Sequence, residues 1–118
     1  MFNLLAVFIG GGLGSCLRYL ANVTLPFPTA IVNVLGSFII GFLHVWLMQK
    51  LDLPPYYKPL LTVGLCGGLT TFSTFSLEVV RFLDEGNYLH ASGYILFSVI
   101  VCVLSAGIGV YFAKNLFV

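Results

Sequence analysis

Four apolar stretches, each about as long as a membrane is thick, leave this chain little choice of fold. A helix that crosses the hydrocarbon core needs ~20 predominantly apolar residues. Runs of that kind occupy residues 2–21, 29–48, 59–83 and 89–112. Four of them consume about 80 residues, and the rest of the 118 go to ends, short loops and interruptions. Neither a fifth span nor a water-soluble domain fits. Five basic and four acidic side chains make up 8% of the chain. Soluble domains carry ~25%, so there is too little charge here to coat a globule. The formal net charge of +1 gives no footprint for nucleic acid. The expected fold class is an all-α membrane protein, with residues 1–118 as one four-helix domain in the lipid bilayer.

The first run has no cationic leader before it and no small-residue cleavage site after it, so it is expected to remain as a span. Pro26-Phe27-Pro28 separates the first two spans, a polar loop with Pro54-Pro55 the next two, and Asp84 to Asn87 the last two. Trp46 falls near the end of the second span, where an interfacial aromatic belongs. Cys16, Cys66 and Cys102 form no C-x-x-C pair and are expected to be small buried hydrophobes. An even number of spans puts both termini and the middle loop on one membrane face. That face carries Lys50, Lys58 and Lys114, the other Arg18 and Arg81. Three against two is almost no positive-inside bias, so insertion in both orientations is expected.

Three places hold residues unusual for a lipid-facing helix. The third segment reads Gly64-Leu-Cys-Gly67-Gly68-Leu-Thr70-Thr71-Phe72-Ser73-Thr74-Phe75 at its centre. Glycine weakens a helix by ~1 kcal/mol relative to alanine, and threonine hydroxyls compete for backbone groups. A break at bilayer depth is one outcome; it is tolerated only where the backbone is buried in protein or lines a wet cavity. Its freed carbonyls could coordinate a cation such as Na⁺. Close packing of helices through Gly64-x-x-x-Gly68 is the other outcome. In the second span Thr29, Asn33, Ser37 and Gly41 recur every four residues, on one helical face. In the fourth, Tyr94, Ser98, Cys102 and Ser105 form a similar stripe. Either stripe could line an ion path, or serve as interhelical hydrogen bonding.

Which ion such a path would take follows from what is missing. The first, second and fourth spans contain no carboxylate, whereas cation pathways are usually lined by Asp or Glu. Glu78 lies in the third segment, with Arg81 at i+3, a spacing that predicts a local pair near the water interface. Arg18 could snorkel to that interface or draw anions into a vestibule. His44 and His90 are single and read as structural. Phe72 and Phe75 fall on one side of whatever helix resumes after the break. Their ring edges carry partial positive charge, enough to face a small anion, although core packing is the commoner fate of a phenylalanine.

Three motifs in order resemble the Fluc (CrcB) family of fluoride channels. They are Gly11-Gly12-Leu-Gly14-Ser-Cys-Leu-Arg18-Tyr19, then Asn33-Val-Leu-Gly36-Ser37-Phe38-Ile-Ile-Gly41, then the glycine, threonine and phenylalanine segment quoted above. The resemblance spans essentially the whole chain. It implies a fluoride-selective channel, not an enzyme, that exports F⁻ by passive conduction across a bacterial plasma membrane. It also implies an antiparallel homodimer with a third helix broken at mid-membrane. A structural Na⁺ is implied on the dimer axis, held by the backbone carbonyls of Gly67 and Thr70. The fluoride path it implies runs past Arg18, Asn33, Phe72, Ser73, Thr74, Phe75, Tyr94 and Ser98. A small proton-coupled exporter of cationic compounds is the alternative. That chemistry needs a buried carboxylate, and the first span, where such exporters keep theirs, has none.

Overall fold

A computed structural model describes all 118 residues. Helix α1 spans Phe2–Thr24 and α2 spans Pro28–Gln49. The third membrane segment is composite: a short α3 (Tyr57–Pro59), a wide π-helical stretch (Leu60–Cys66), a short α4 (Gly67–Leu69), then α5 (Phe72–Asp84). Helix α6 covers Tyr88–Phe117. Four helices are therefore long and apolar enough to cross a membrane, the third taken as Tyr57–Asp84.

The turns follow from local chemistry. Leu25 precedes Pro26 and is extended, as the proline ring demands of its predecessor. Phe27, caught between two prolines, adopts the left-handed conformation (φ 52°, ψ 50°), and Pro28 opens α2, where its missing N–H costs nothing. Helix α5 ends in a Schellman turn: Gly86 at φ 74° lets its own N–H reach the Leu83 carbonyl and the Asn87 N–H that of Phe82.

Two helix pairs make the fold. Helix α1 lies against the first half of the third segment through a seam of glycines. A Cβ on Gly14 would collide with the Leu65 carbonyl oxygen, and one on Gly68 would sit 2.5 Å from that of Gly11. Helix α2 lies along α6 in the same manner, with Gly41 against Ala106 and Gly109 against Phe38. Lipid tails are as apolar as leucine, so helices in a membrane associate through such close backbone approach. Ser105 joins the second pair by donating to the Val34 carbonyl at 2.8 Å. Only 18 of 118 residues are buried, so most apolar side chains face outward, as lipid contact requires.

The break in the third segment falls at Thr70 and Thr71, both extended (ψ 156° and 113°), just after the glycine pair. Glycine packing and a broken helix, which the spacing posed as alternatives, coexist: Gly64 and Gly68 press on α1, and the threonines interrupt the helix.

Candidate functional site

Backbone groups at bilayer depth must find partners inside the protein, and Asn33 of α2 supplies them at the break. Its Oδ1 accepts from the Thr71 N–H at 2.7 Å, and its Nδ2 donates to the Thr71 carbonyl at 3.1 Å. One Nδ2 hydrogen remains for another acceptor. The Thr71 hydroxyl caps α5 by accepting from the Thr74 N–H at 3.1 Å, the usual work of a threonine N-cap. The same hydroxyl donates to Thr74 Oγ1 at 3.1 Å and lies 3.3 Å from Ser73 Oγ. Arg18 reaches across from α1, its Nε donating to the Gly68 carbonyl at 3.0 Å. Arg18 is thus a brace on the break, half-buried, rather than a free side chain reaching for the interface.

These bonds decide which carbonyls are left over. The Thr70 N–H and hydroxyl both go to Cys66, Thr71 N–H goes to Asn33, and Thr74 N–H goes to a side chain. The Thr70 carbonyl consequently has no backbone donor, and the Gly67 carbonyl lacks the Thr71 N–H that an unbroken helix would give it. Carbonyl oxygens freed in this way are the donor chemistry that suits a hard monovalent cation.

Beside the break lies a cavity of about 280 Å³. Its walls are Asn33 and Ser37 from α2, Thr70 and Thr71 from the break, Phe72 and Phe75 from α5, and Ser98, Val99, Cys102 and Val103 from α6. Both polar stripes therefore converge on one space, with the two phenylalanines at its side. The ring centroids of Phe72 and Phe75 are 5.6 Å apart with the planes tilted by 49°. Phe75 is 7% exposed, but Phe72, at the rim, is 77% exposed. No carboxylate and no full positive charge lines this cavity.

Tyr94 extends the polar track beyond the cavity. Its ring is 5.1 Å from that of Phe75, and its hydroxyl donates to Glu78 Oε1 at 2.6 Å. Thr29, buried at the start of α2, donates to Glu78 Oε2 at 3.1 Å. This corrects the expected local pair: Glu78 takes hydroxyls from two other helices, and Arg81, three residues on, is exposed.

The structure thus gathers Asn33, Thr70, Phe72, Phe75 and Ser98 around one space. Tyr94 follows at its end, Ser73 and Thr74 sit in the hydroxyl cluster of the helix cap, and Arg18 stands behind the break. Thr29, Thr71 and Glu78 are the additions. The stripe spacing pointed to Thr29, but only the tertiary fold reveals its bond to Glu78. One smaller expectation fails. Cys16 is exposed and Cys102 lines the cavity, so only Cys66 is a buried thiol. Neither histidine is buried; His90 is exposed and stacks on Phe82 with centroids 4.3 Å apart.

A family model described as "CrcB-like protein, Camphor Resistance (CrcB)" matches residues 5–110. The protein named Fluoride-specific ion channel FluC 1 from Yersinia pestis is 50% identical over 107 residues, 84% of each chain. The FluC from Hydrogenobaculum sp. (strain Y04AAS1) is 40% identical over 114 residues, 91% of this chain and 93% of its own. The one from Escherichia coli is 44% identical over 110 residues, 87% of this chain and 84% of its own. Four membrane-capable helices and a family match over nearly all of the sequence agree: this chain is a multi-pass bacterial membrane protein that belongs to the CrcB-like family.

Proposed function

We propose that this protein is a fluoride-selective channel that lets F⁻ leave the cytoplasm down its gradient. The observation that carries this function is the cavity beside the break, where Asn33, Ser98, Phe72 and Phe75 meet without a carboxylate. The names of the relatives point to the same ion and favour it over proton-coupled export of cations. Fluoride is small and strongly hydrated, and a dry passage must replace its water with donors or positive dipoles. The spare Nδ2 hydrogen of Asn33 and the Ser98 hydroxyl are true donors. Phe72 and Phe75 add the weakly positive edges of their rings. Holding the ion without a full charge lets it leave again, which conduction requires. Thr71 acts indirectly by fixing the break, Asn33 both fixes the break and donates to the ion, and Tyr94 carries the track toward the membrane face.

The working unit in this proposal is an antiparallel homodimer. Phe72 and Val103 at the cavity rim are 77% and 67% exposed, and a polar-walled groove open to lipid is costly. A second copy packed over that rim would close it, and the three-to-two charge split suits dual insertion. The Gly67 and Thr70 carbonyls would hold a structural Na⁺ between the copies, two from each. Such an ion would supply fixed positive charge that ties the two breaks together. The test is ion efflux from proteoliposomes, with F⁻ compared to Cl⁻. Rapid efflux of F⁻ but not Cl⁻ is expected; no F⁻ efflux would overturn the proposal.

A further inference from the structure

Away from the ion cavity, a hollow of about 490 Å³ opens between the end of α2 and the start of the third segment, at the seam between the two helix pairs. Ile40, His44, Leu47 and Met48 of α2 form one wall, and Lys58 and Thr62 form the other. On α2 these are positions i, i+4, i+7 and i+8, one face of the helix. The neighbouring residues set its depth. Helix α2 ends at Gln49, with Trp46 just inside that end, and the stacked rings of Tyr56 and Tyr57, 5.2 Å apart, immediately precede Lys58. Aromatics of this kind mark the headgroup level of a bilayer. At 1.5 Å per residue, His44 lies about 7 Å and Ile40 about 13 Å inward of the helix end. The hollow therefore runs from the headgroup layer into the outer part of the acyl layer.

Plain hydrocarbon does not suit the groups it would meet there. His44 and Lys58 are both exposed, and an ionisable side chain at such a depth calls for a polar partner. The protein offers them none inside the hollow. No carboxylate lines it, and the Thr62 hydroxyl is spent on the Lys58 carbonyl, to which it donates at 2.7 Å. An incoming group meets the three hydrogens of the Lys58 ammonium and a ring N–H of His44. Farther in it meets the apolar side chains of Leu47 and Ile40. A matching ligand has acceptor oxygens and negative charge at one end and a hydrocarbon chain at the other.

We propose that this hollow binds an anionic glycerophospholipid, one whose headgroup carries a phosphate without a compensating ammonium. The phosphate lies against Lys58, His44 donates to an oxygen of the glycerol ester region below it, and an acyl chain runs along Leu47 and Ile40. Basic recesses between membrane helices take acidic headgroups by this chemistry. A zwitterionic lipid brings its own ammonium, which competes with Lys58 for the phosphate, so the site discriminates by net headgroup charge. It shares no residue with the cavity beside the break and does not depend on which ion the protein conducts.

Trp46, the one tryptophan in the chain, stands two residues from His44 and supplies a local signal. The protein is reconstituted in phosphatidylcholine vesicles that contain brominated phosphatidylglycerol or brominated phosphatidylcholine at equal mole fraction. Bromine quenching of Trp46 then gives the affinity of one lipid relative to the other. Wild type is expected to prefer phosphatidylglycerol roughly fivefold, the worth of one lysine facing an anionic lipid. Lys58→Gln should fall to near parity, and Lys58→Arg should keep the preference. Lys50→Gln is the control for general surface charge: Lys50 caps the same end of α2 but lies outside the hollow, so its loss should leave the preference in place. Both lysines are exposed, and all variants should elute at the wild-type size. Equal quenching by the two lipids in wild type would overturn the inference, as happens if a second copy of the chain covers the hollow. So would a preference that survives Lys58→Gln, or one that Lys50→Gln abolishes as fully, since surface charge alone then explains it.

Discussion

Replacing Gly14 by alanine should separate the two halves of the α1 seam. The added Cβ would collide with the Leu65 carbonyl oxygen, and would sit 2.7 Å from the Leu69 amide nitrogen and 3.0 Å from the Gly68 carbonyl carbon. Ordinary contact begins at 3.4 Å, so α1 must withdraw by the better part of an ångström. All three neighbours are backbone, and no rotamer change can relieve them. Over-packing of a well-fitted interior costs about 1–3 kcal/mol, and a rigid neighbour puts this site near the upper end. At 1.4 kcal/mol per decade, about 3 kcal/mol is roughly a hundredfold loss in the folded-to-unfolded ratio. The same withdrawal pulls Arg18 from the Gly68 carbonyl, now 3.0 Å away, and loosens the break. Gly12→Ala and Gly107→Ala are the controls. Nothing lies within 4 Å of a Cβ at either site, and alanine gains up to ~1 kcal/mol of helix propensity. Equilibrium unfolding in mixed micelles can be followed by the fluorescence of Trp46, the one tryptophan in the chain. If Gly14→Ala unfolds at the same denaturant fraction as Gly12→Ala, the glycine seam does not hold α1 to the third segment.

Three further outcomes are expected. Asn33→Leu should cost about 2–5 kcal/mol, since it strands both the Thr71 N–H and its carbonyl at bilayer depth; a variant as stable as wild type in the same unfolding assay would remove Asn33 from the clamp. Two lysines appended after Val118 should bias insertion toward one orientation and lower fluoride flux when that gene is the only copy; full bias in topology reporters with unchanged flux would contradict antiparallel assembly. Crystals grown with a heavier monovalent cation in place of Na⁺ should show anomalous density near the Gly67 and Thr70 carbonyls; density absent at every concentration would dismiss the structural ion.

Much of this architecture is legible in the sequence because it rests on local pattern. Span number follows from hydropathy, and the two polar stripes follow from i, i+4 spacing. Their convergence on one cavity is what that periodicity leads one to expect when α2 and α6 pack face to face. The third segment is legible only as an ambiguity. Glycine packing and helix breaking compete for the same residues on paper, but here Gly64 and Gly68 pack while Thr70 and Thr71 break. What decides it is Asn33, 38 positions from Thr71 in sequence, and no local rule couples residues so far apart. Glu78 escapes local pattern for a related reason. The i, i+3 spacing to Arg81 is a real preference on an isolated helix, yet hydroxyls from Thr29 and Tyr94 outcompete it. Phe72 and Phe75 share a spacing but not an environment: the first opens α5 at the exposed rim of the cavity, the second is inside.

The central claim is that fluoride crosses beside the broken helix, past the rings of Phe72 and Phe75. Unitary fluoride current through Phe72→Ile and Phe75→Ile tests it most directly. Isoleucine keeps apolar bulk but removes the ring edges that the proposed path would turn toward the ion. Phe8→Ile and Phe112→Ile, on other helices and away from the cavity, serve as controls. Both cavity variants should elute at the wild-type size and lose most of their fluoride current, about tenfold or more for a deficit above 1.4 kcal/mol in ion stabilisation, while the controls conduct normally. Wild-type currents in both cavity variants would contradict the account and leave the two rings as packing alone.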